Sequence, residues 1–371
     1  MERAVARIDL DAVRANCARL KRALGQGPEL CAVVKADGYG HGAEACAGAA
    51  LEGGATRLAV ATAAEAEVIA SRFPQAPLLT MGVLTAEEID VVLGAGSQLA
   101  VWREGFRGLV ADRARAHGRP ARVHVKYDSG MGRLGTREPS EALDLAQACA
   151  ADPDLELVGV WTHLATADEP GSDGGYFDEQ LDRFEEVAAA VKAIAPGVLA
   201  HAANSAAVLR DRRSHHDMVR CGVAIYGLDP FQRDPADQGL RPALSLRSHV
   251  ADVKRFPAGA SAGYGRTWRA PADTWVGVVP IGYGDGVRRA LGNRAEVLVR
   301  GRRVPLVGTV SMDNVTIDLG PETDVRPGEE AVLIGAQGGE EILAEELAAR
   351  LETINYEVTC AISQRVPRRT A

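Results

Sequence analysis

The stretch LCAVVKADGYGHGAEACAGAALEGGATRLAVATAAEAEVIASR, residues 30–72, decides the fold. Its apolar runs at 30–35 and 57–61 are built of Val, Leu and Ala without clean polar alternation. Such runs suit parallel strands covered on both faces. The segments at 42–53 and 64–71 have helical composition. The order strand, helix, strand, helix predicts a parallel α/β sheet. Outward from this stretch the same alternation continues. Apolar runs recur at 77–81, 97–101, 121–127, 155–161, 198–202 and 218–223. Helical stretches lie at 85–95, 103–117, 138–150 and 176–195, and a helix at 11–24 precedes them all. Eight such units in about 220 residues have the size of a (β/α)8 barrel. An open doubly wound sheet is the alternative reading.

From about residue 240 the helical runs mostly vanish. Strand-like segments at 244–256, 275–281, 295–299, 304–310, 315–319 and 330–334 are separated by turn signals such as Pro257 with Gly259 and Pro327 with Gly328. They predict a smaller, mainly-β domain with one helix at 341–351. The cluster Pro230, Asp234, Pro235, Asp237 and Gly239 marks the boundary. The expected domains are a barrel over 11–235 and a mainly-β domain over 236–371, with or without 1–10.

Composition narrows the function classes. Apolar residues at 46% and charged residues at 25% are those of a globular chain and exclude a disordered or fibrous one. The net charge of −8 argues against a broad nucleic-acid footprint. Six scattered cysteines without a Cys-x-x-Cys pair point to reduced thiols rather than a disulfide framework or a metal site. No apolar run reaches the roughly 18 residues of a membrane span. Charges at Glu2, Arg3, Arg7, Asp9 and Asp11 do not suit a signal peptide. The expectation is a cytoplasmic protein with neither a nucleic-acid nor a membrane partner. The C-terminal arginines Arg365, Arg368 and Arg369 read as a solvated tail.

In a barrel of this kind the chemistry sits on the loops that follow the strands. Five of the eight predicted strands end in polar clusters. The first ends at Lys35 in VVKADGYGHG, and the fifth at Lys126, followed by YDSGMGRLG with Arg133. The sixth ends in WTHLATAD with His163 and Asp168, and the seventh in HAANSAA with His201 and Ser205. The eighth carries VRCGVAIYG with Arg220, Gly222 and Tyr226. Each has a bland reading: a snorkelling lysine, a core histidine, half of an ion pair. Together they suggest more. A desolvated lysine is a good Schiff-base former. A hydroxyl and glycine amides after the last two strands suit a phosphate. Both features fit pyridoxal phosphate. An aldolase-type barrel, whose lysine attacks the substrate directly, remains open at this level.

The motifs VVKADGYGHG, KYDSGMGRLG, WTHLATAD, HAANSAA, VRCGVAIYG, SAGYGRTW, VPIGYGDG, SMDN and INYEV, in this order along the whole chain, resemble the alanine racemase family. The resemblance implies pyridoxal 5'-phosphate as cofactor and a homodimer with shared active sites. It further implies interconversion of L- and D-alanine by two-base proton transfer, with D-alanine supplied for peptidoglycan. By the same resemblance Lys35 carries the cofactor and is the base on the D-alanine side. Tyr264, given across the dimer, is the opposite base. Arg220 faces the pyridine nitrogen, with His163 and His201 around it. Tyr39, Ser205, Gly222, Val223 and Tyr356 match the phosphate-binding set. Arg133 matches the arginine near the cofactor's phenolic oxygen and the substrate carboxylate, and the Met312 amide the other carboxylate contact. Lys126 and Asp313 match supporting positions, Lys126 being one at which family members carry a carbamate. Asp168, Tyr283 and Arg289 match the substrate entryway. The sequence departs from the family pattern at Asp37 and Gly38 in the first motif, and at Thr309 and Ser311 near the entryway.

The physics agrees with the resemblance. An arginine gives up no proton, so the pyridine nitrogen stays unprotonated and the cofactor is a weaker electron sink. A weaker sink suits racemisation. Decarboxylases of this scaffold are expected to carry a carboxylate at that position. The competing readings are therefore a broader serine racemase, a decarboxylase of the same fold and a non-enzymatic cofactor-binding protein. Arg220 argues against the second, and Tyr264 with Met312 against the third.

Overall fold

The computed structural model describes residues 2–169 and 175–371. It divides into two compact units, Val13–Gly38 with Ala43–Ile225, and Met1–Ala12 with Tyr39–Gly42 and Tyr226–Ala371.

The first unit is the barrel. Its parallel strands are β1 (Glu29–Val33), β2 (Arg57–Val60), β3 (Leu78–Thr80), β4 (Gln98–Val101), β5 (Ala121–Lys126), β6 (Leu155–Trp161), β7 (Leu199–His201) and β8 (Met218–Cys221). Neighbours pair in order from β1 to β7, and β1 also pairs with β8. Between β7 and β8 the chain makes single hydrogen bonds, Asp217 N to Ala200 O at 3.1 Å and Arg220 N to Ala203 O at 2.9 Å. Closure is thus nearly complete, and among the described residues only the short β7 and β8 edges lack a ladder. Strands such as β4 and β8 are buried at every residue, which is why they read as uninterrupted runs. The intervening helices begin where the sequence supplies caps. Thr62 with Glu65 and Thr85 with Glu88 each form a reciprocal capping box, satisfying amides that would otherwise be orphaned.

The second unit is built on a ten-stranded, mainly antiparallel sheet. The segment 244–256 is two strands rather than one. Leu244–His249 pairs with Glu330–Gln337, whereas Asp252–Phe256 pairs with Thr274–Val279. The chain changes partner at Val250 and Ala251, whose amides donate to Glu329 and Val278. The predicted helix is present as Ala344–Leu351, and a further short helix, Asn355–Cys360, follows it.

The C-terminal arginines are not a solvated tail. Arg368–Thr370 is a strand lying parallel to Ala4–Ile8, itself paired with Leu244–His249. Arg368 donates to the carbonyls of Gly40 (2.9 Å), Ile362 (2.6 Å), Ser363 (2.7 Å) and Val366 (2.9 Å). A planar guanidinium with five donors can close several stray carbonyls at once, and this one does.

Gly40 is the tightest point of that arrangement. Its φ is +84°, and a side chain there would place Cβ 2.3 Å from the Thr359 carbonyl oxygen. Gly40→Ala is expected to cost about 2 kcal/mol or more, from the backbone strain and the clash. Denaturant unfolding of the variant checks this, and an unchanged midpoint would show that the loop yields freely.

Candidate active site

The barrel unit gathers most of the residues singled out from the sequence. Lys35 follows β1 and opens a left-handed turn. Ala36, Asp37, Gly38 and Tyr39 have φ between +50° and +61°. For residues with a Cβ this conformation costs of the order of 1 kcal/mol each and persists only where the surroundings enforce it. Glu65 does part of the enforcing. Its Oε1 accepts from the Ala36 amide at 2.7 Å, while Oε2 accepts from Ala61 at 2.9 Å and Thr62 at 3.1 Å. Asp37 Oδ1 accepts from Ala43 N at 2.9 Å. Glu65 was not among the residues expected from sequence, although its capping-box spacing was there to find.

Arg220, on β8, is buried inside the barrel. Nη1 donates to His201 Nδ1 at 2.8 Å and to the His201 carbonyl at 3.0 Å. Nη2 donates to the carbonyls of Thr162 (2.8 Å) and Ala202 (3.1 Å), and His163 Nδ1 lies 3.5 Å away. These bonds use only the two terminal nitrogens, so Nε–H is the donor left for a ligand. Among the described residues no carboxylate forms an ion pair with this guanidinium. Burial lowers its pKa to about 10, so it stays charged at neutral pH.

Lys126 ends β5 with Nζ 3.3 Å above the centre of the Trp161 ring. That buried nitrogen has no hydrogen-bond partner among the described residues. Burial first, then the charges of Arg220 and Arg133, hold its pKa well below the usual lysine range. Arg133 is exposed on the loop after Lys126. There Asp128 accepts from the amides of Gly130 (3.1 Å), Met131 (2.6 Å) and Gly132 (2.9 Å). At the other end of the cluster Ser205 Oγ accepts from the amides of Gly222 (3.1 Å) and Ala224 (3.3 Å), and among the described residues its own O–H is given to no acceptor, so that it can donate to an anion. Val223, between those two amides, is buried. Asp168 is exposed on the loop after β6.

The second unit carries the rest. Tyr39 packs against Tyr226 with ring centres 5.3 Å apart and against Tyr356 at 6.2 Å. Tyr356 is set by its neighbour Asn355, which is wholly buried. Asn355 Nδ2 donates to Asp229 O and Glu345 Oε1, both at 2.8 Å, and its amide donates to Gln232 Oε1 at 2.8 Å. Tyr264 is 72% exposed, and its carbonyl accepts from Thr309 Oγ1 at 2.8 Å. Met312 is exposed on the loop where the Tyr283 amide donates to Ser311 O and the Gly284 amide to Met312 O. Asp313 pairs with Arg365 at 2.5 Å. Arg289 opens the short turn Arg289–Leu291.

Two family models match consecutive parts of the chain: alanine racemase, N-terminal domain, over residues 8–230, and alanine racemase, C-terminal domain, over residues 243–370. The chain belongs to the alanine racemase family. Among its relatives, the alanine racemase of Symbiobacterium thermophilum is 45% identical over 98% of this chain and 96% of its own length. Alanine racemase 1 of Bacillus subtilis is 39% identical over 98% and 92%. The crystal structure of alanine racemase from D-cycloserine-producing Streptomyces lavendulae superposes with a TM-score of 0.94 at 37% identity, covering 100% of this chain and 97% of the other. That of Bacillus anthracis with bound L-Ala-P does so with a TM-score of 0.89 at 38% identity, covering 100% and 95%. The family makes the chain an isomerase. Among the described residues of this alanine racemase family member, no helix is long and apolar enough to cross a membrane.

The surroundings of the cluster's histidines disfavour their charged form. Burial first, then the charge of Arg220, pushes His163 and His201 well below the usual range. Burial, then Arg57, Arg122 and Arg220, lowers His124 to about 3. In the unfolded chain such rings take up a proton below about pH 6.5. The unfolded state therefore binds more protons below that pH, and stability is lost as the pH falls. Each ring contributes a slope of up to about 1.4 kcal/mol per pH unit. Denaturant midpoints measured at about pH 7.5, 6 and 5 are expected to fall in that order. A midpoint that rises on acidification would exclude neutral rings.

Proposed function

We propose that the protein interconverts L- and D-alanine using pyridoxal 5'-phosphate, in the cytoplasm, and so supplies D-alanine for peptidoglycan. The observation that carries the reading is Arg220: a buried, charged guanidinium without a carboxylate partner among the described residues, its Nη groups committed to carbonyls and imidazole. The donor set fits the cofactor. The Ser205 hydroxyl, held by the Gly222 amide, and the Val223 amide, together with Tyr39 and Tyr356, would hold its phosphate. Arg220 would meet its ring nitrogen, and Lys35 its aldehyde carbon. Bound there, pyridoxal phosphate supplies a conjugated electron sink that makes the α-hydrogen of an amino acid acidic.

The chain's own groups then divide the work. Arg220 donates from Nε and releases no proton, so it keeps the ring nitrogen unprotonated and the sink weak. Lys35 Nζ takes or returns the α-proton on one face, and Tyr264 Oη on the other. Arg133 and the Met312 amide hold the substrate carboxylate. Lys126, an amine with a depressed pKa, is the nucleophilic form that combines with carbon dioxide as a carbamate, releasing a proton. That anion would orient Arg133. His163, His201 and Asp313 support these groups, and Asp168, Tyr283 and Arg289 line the entry. The residues 11–235 would form the cofactor-binding domain. Tyr264 and Met312, exposed on the mainly-β domain of 236–371, would be given to the partner's site in a homodimer. Tyr356 beside the phosphate favours a small side chain, hence alanine.

Purified protein incubated with pyridoxal phosphate and L-alanine is expected to produce D-alanine by chiral chromatography. Borohydride reduction is expected to fix the cofactor on Lys35. A label on Lys126 instead, or no racemisation, would overturn the assignment. Shared sites are tested separately. Lys35→Ala and Tyr264→Ala proteins, each nearly inactive, are mixed under conditions of subunit exchange. About half of the dimers become hybrids, each with one intact site of two, so about a quarter of wild-type activity returns. Exchange without recovery would place both bases on one chain.

A further inference from the structure

The hydrogen bonds around Arg220 do not end at His201. His124 Nδ1 lies 3.0 Å from His201 Nε2, and His124 Nε2 lies 2.7 Å from Gln98 Oε1. All three side chains are buried inside the barrel, on β7, β5 and β4. The direction of every bond follows from one end. A guanidinium only donates, so His201 Nδ1 accepts and the His201 proton sits on Nε2. That proton points at His124 Nδ1, which must accept it. The His124 proton is then also on Nε2 and is given to Gln98 Oε1. A proton added to either ring would set a donor against a donor.

The barrel is shaped to hold the second ring. The β5–β6 register shifts between Val123 and His124, so that His124 lies opposite Gly159. A Cβ at Gly159 would lie 1.9 Å from His124 Nδ1, and its absence is what lets the imidazole reach His201. Trp161 stacks on the far partner, its plane 7° from that of His201. Barrel interiors are ordinarily layers of branched apolar side chains. Here one line of side chains across four strands is polar, and each bond in it points away from Arg220.

We propose that His124 and Gln98 are positioning residues for the racemase reaction. By locking His201 in its Nε2–H form they keep an acceptor against Arg220 Nη1, and so hold the guanidinium charged and turned with Nε toward the ring nitrogen. Like-directed bonds in a low-dielectric interior polarise one another, so the positive charge of Arg220 is also drawn outward along the line, away from that nitrogen. The inference rests on the reading of Arg220 given above.

Ring-nitrogen NMR of protein labelled at histidine tests the direction of the bonds. His201 and His124 are both expected as Nε2–H, and an Nδ1–H form of either in the wild type would overturn the proposal. Function is tested on the holoenzyme. Gln98→Leu and His124→Phe each remove a link. Each is expected to lower kcat about tenfold with KM for alanine within about twofold, the pattern of an interaction felt in the transition state. The visible absorption band of the bound cofactor is expected to shift with it. His124→Gln can still accept from His201 and donate to Gln98. It is expected to restore both kcat and band even if the apolar variants fold poorly. Folded Gln98→Leu and His124→Phe proteins with unchanged kcat and band, or a His124→Gln protein no better than His124→Phe, would reduce the line to packing. A wild-type protein that takes up no pyridoxal phosphate would remove the functional reading itself, and is recognised before any variant is made.

Discussion

A positive charge buried with no carboxylate partner among the described residues is the constraint around which the barrel unit is organised. Taking a guanidinium out of water is costly, and the usual remedy is a carboxylate. Arg220 has instead five contacts of 3.5 Å or less from its Nη groups to neutral acceptors: three backbone carbonyls and two imidazole nitrogens. Those carbonyls belong to Thr162, His201 and Ala202, at the ends of β6 and β7, so the charge holds together the strand ends from which the cluster is made. A carboxylate there would have satisfied the charge more simply. It would also have offered a proton acceptor beside the place proposed for the cofactor nitrogen.

The second constraint is closeness of backbone. The left-handed turn after Lys35 runs through three residues with side chains, and it is held by Glu65 and Asp37 rather than by glycine alone. Gly159 serves differently. It is placed to leave room for a ring, not to reach an unusual φ. Glu65 and Gly159 each lie on an element other than the one that carries the residue they support. The cluster is therefore a property of the closed barrel and not of any one loop.

How much of this was legible in the sequence depended on what signal each feature leaves. The barrel strands were legible because burial on both faces turns a strand into an apolar run. The polar clusters were legible because they end those runs. Gln98 and His124 were not, because Gln98 follows Ser97 at the polar start of its run and His124 alternates with Arg122 and Lys126, so that neither stands out. The break at Val250 was hidden because a strand that trades one partner for another keeps its composition. Asn355–Cys360 is too short for a helical period to show. The strand Arg368–Thr370 was read as a tail because three basic residues say nothing of a partner more than 360 positions away in the chain. The left-handed turn showed only its glycines, since Ala36, Asp37 and Tyr39 have no preference for it in isolation.

That last strand has a consequence for how the protein is made. Ala4–Ile8 leaves the ribosome ahead of the whole barrel, yet its two neighbours in the sheet are Leu244–His249 and Arg368–Thr370. It must wait through the synthesis of the whole barrel for its neighbours, and its second edge is covered only after Arg368–Thr370 emerges. Pairings of such long sequence separation are slow to form and leave edges open meanwhile. The second unit can close only once Arg368–Thr370 has been made, whereas the barrel, complete by residue 225, can fold while its successor is still being built.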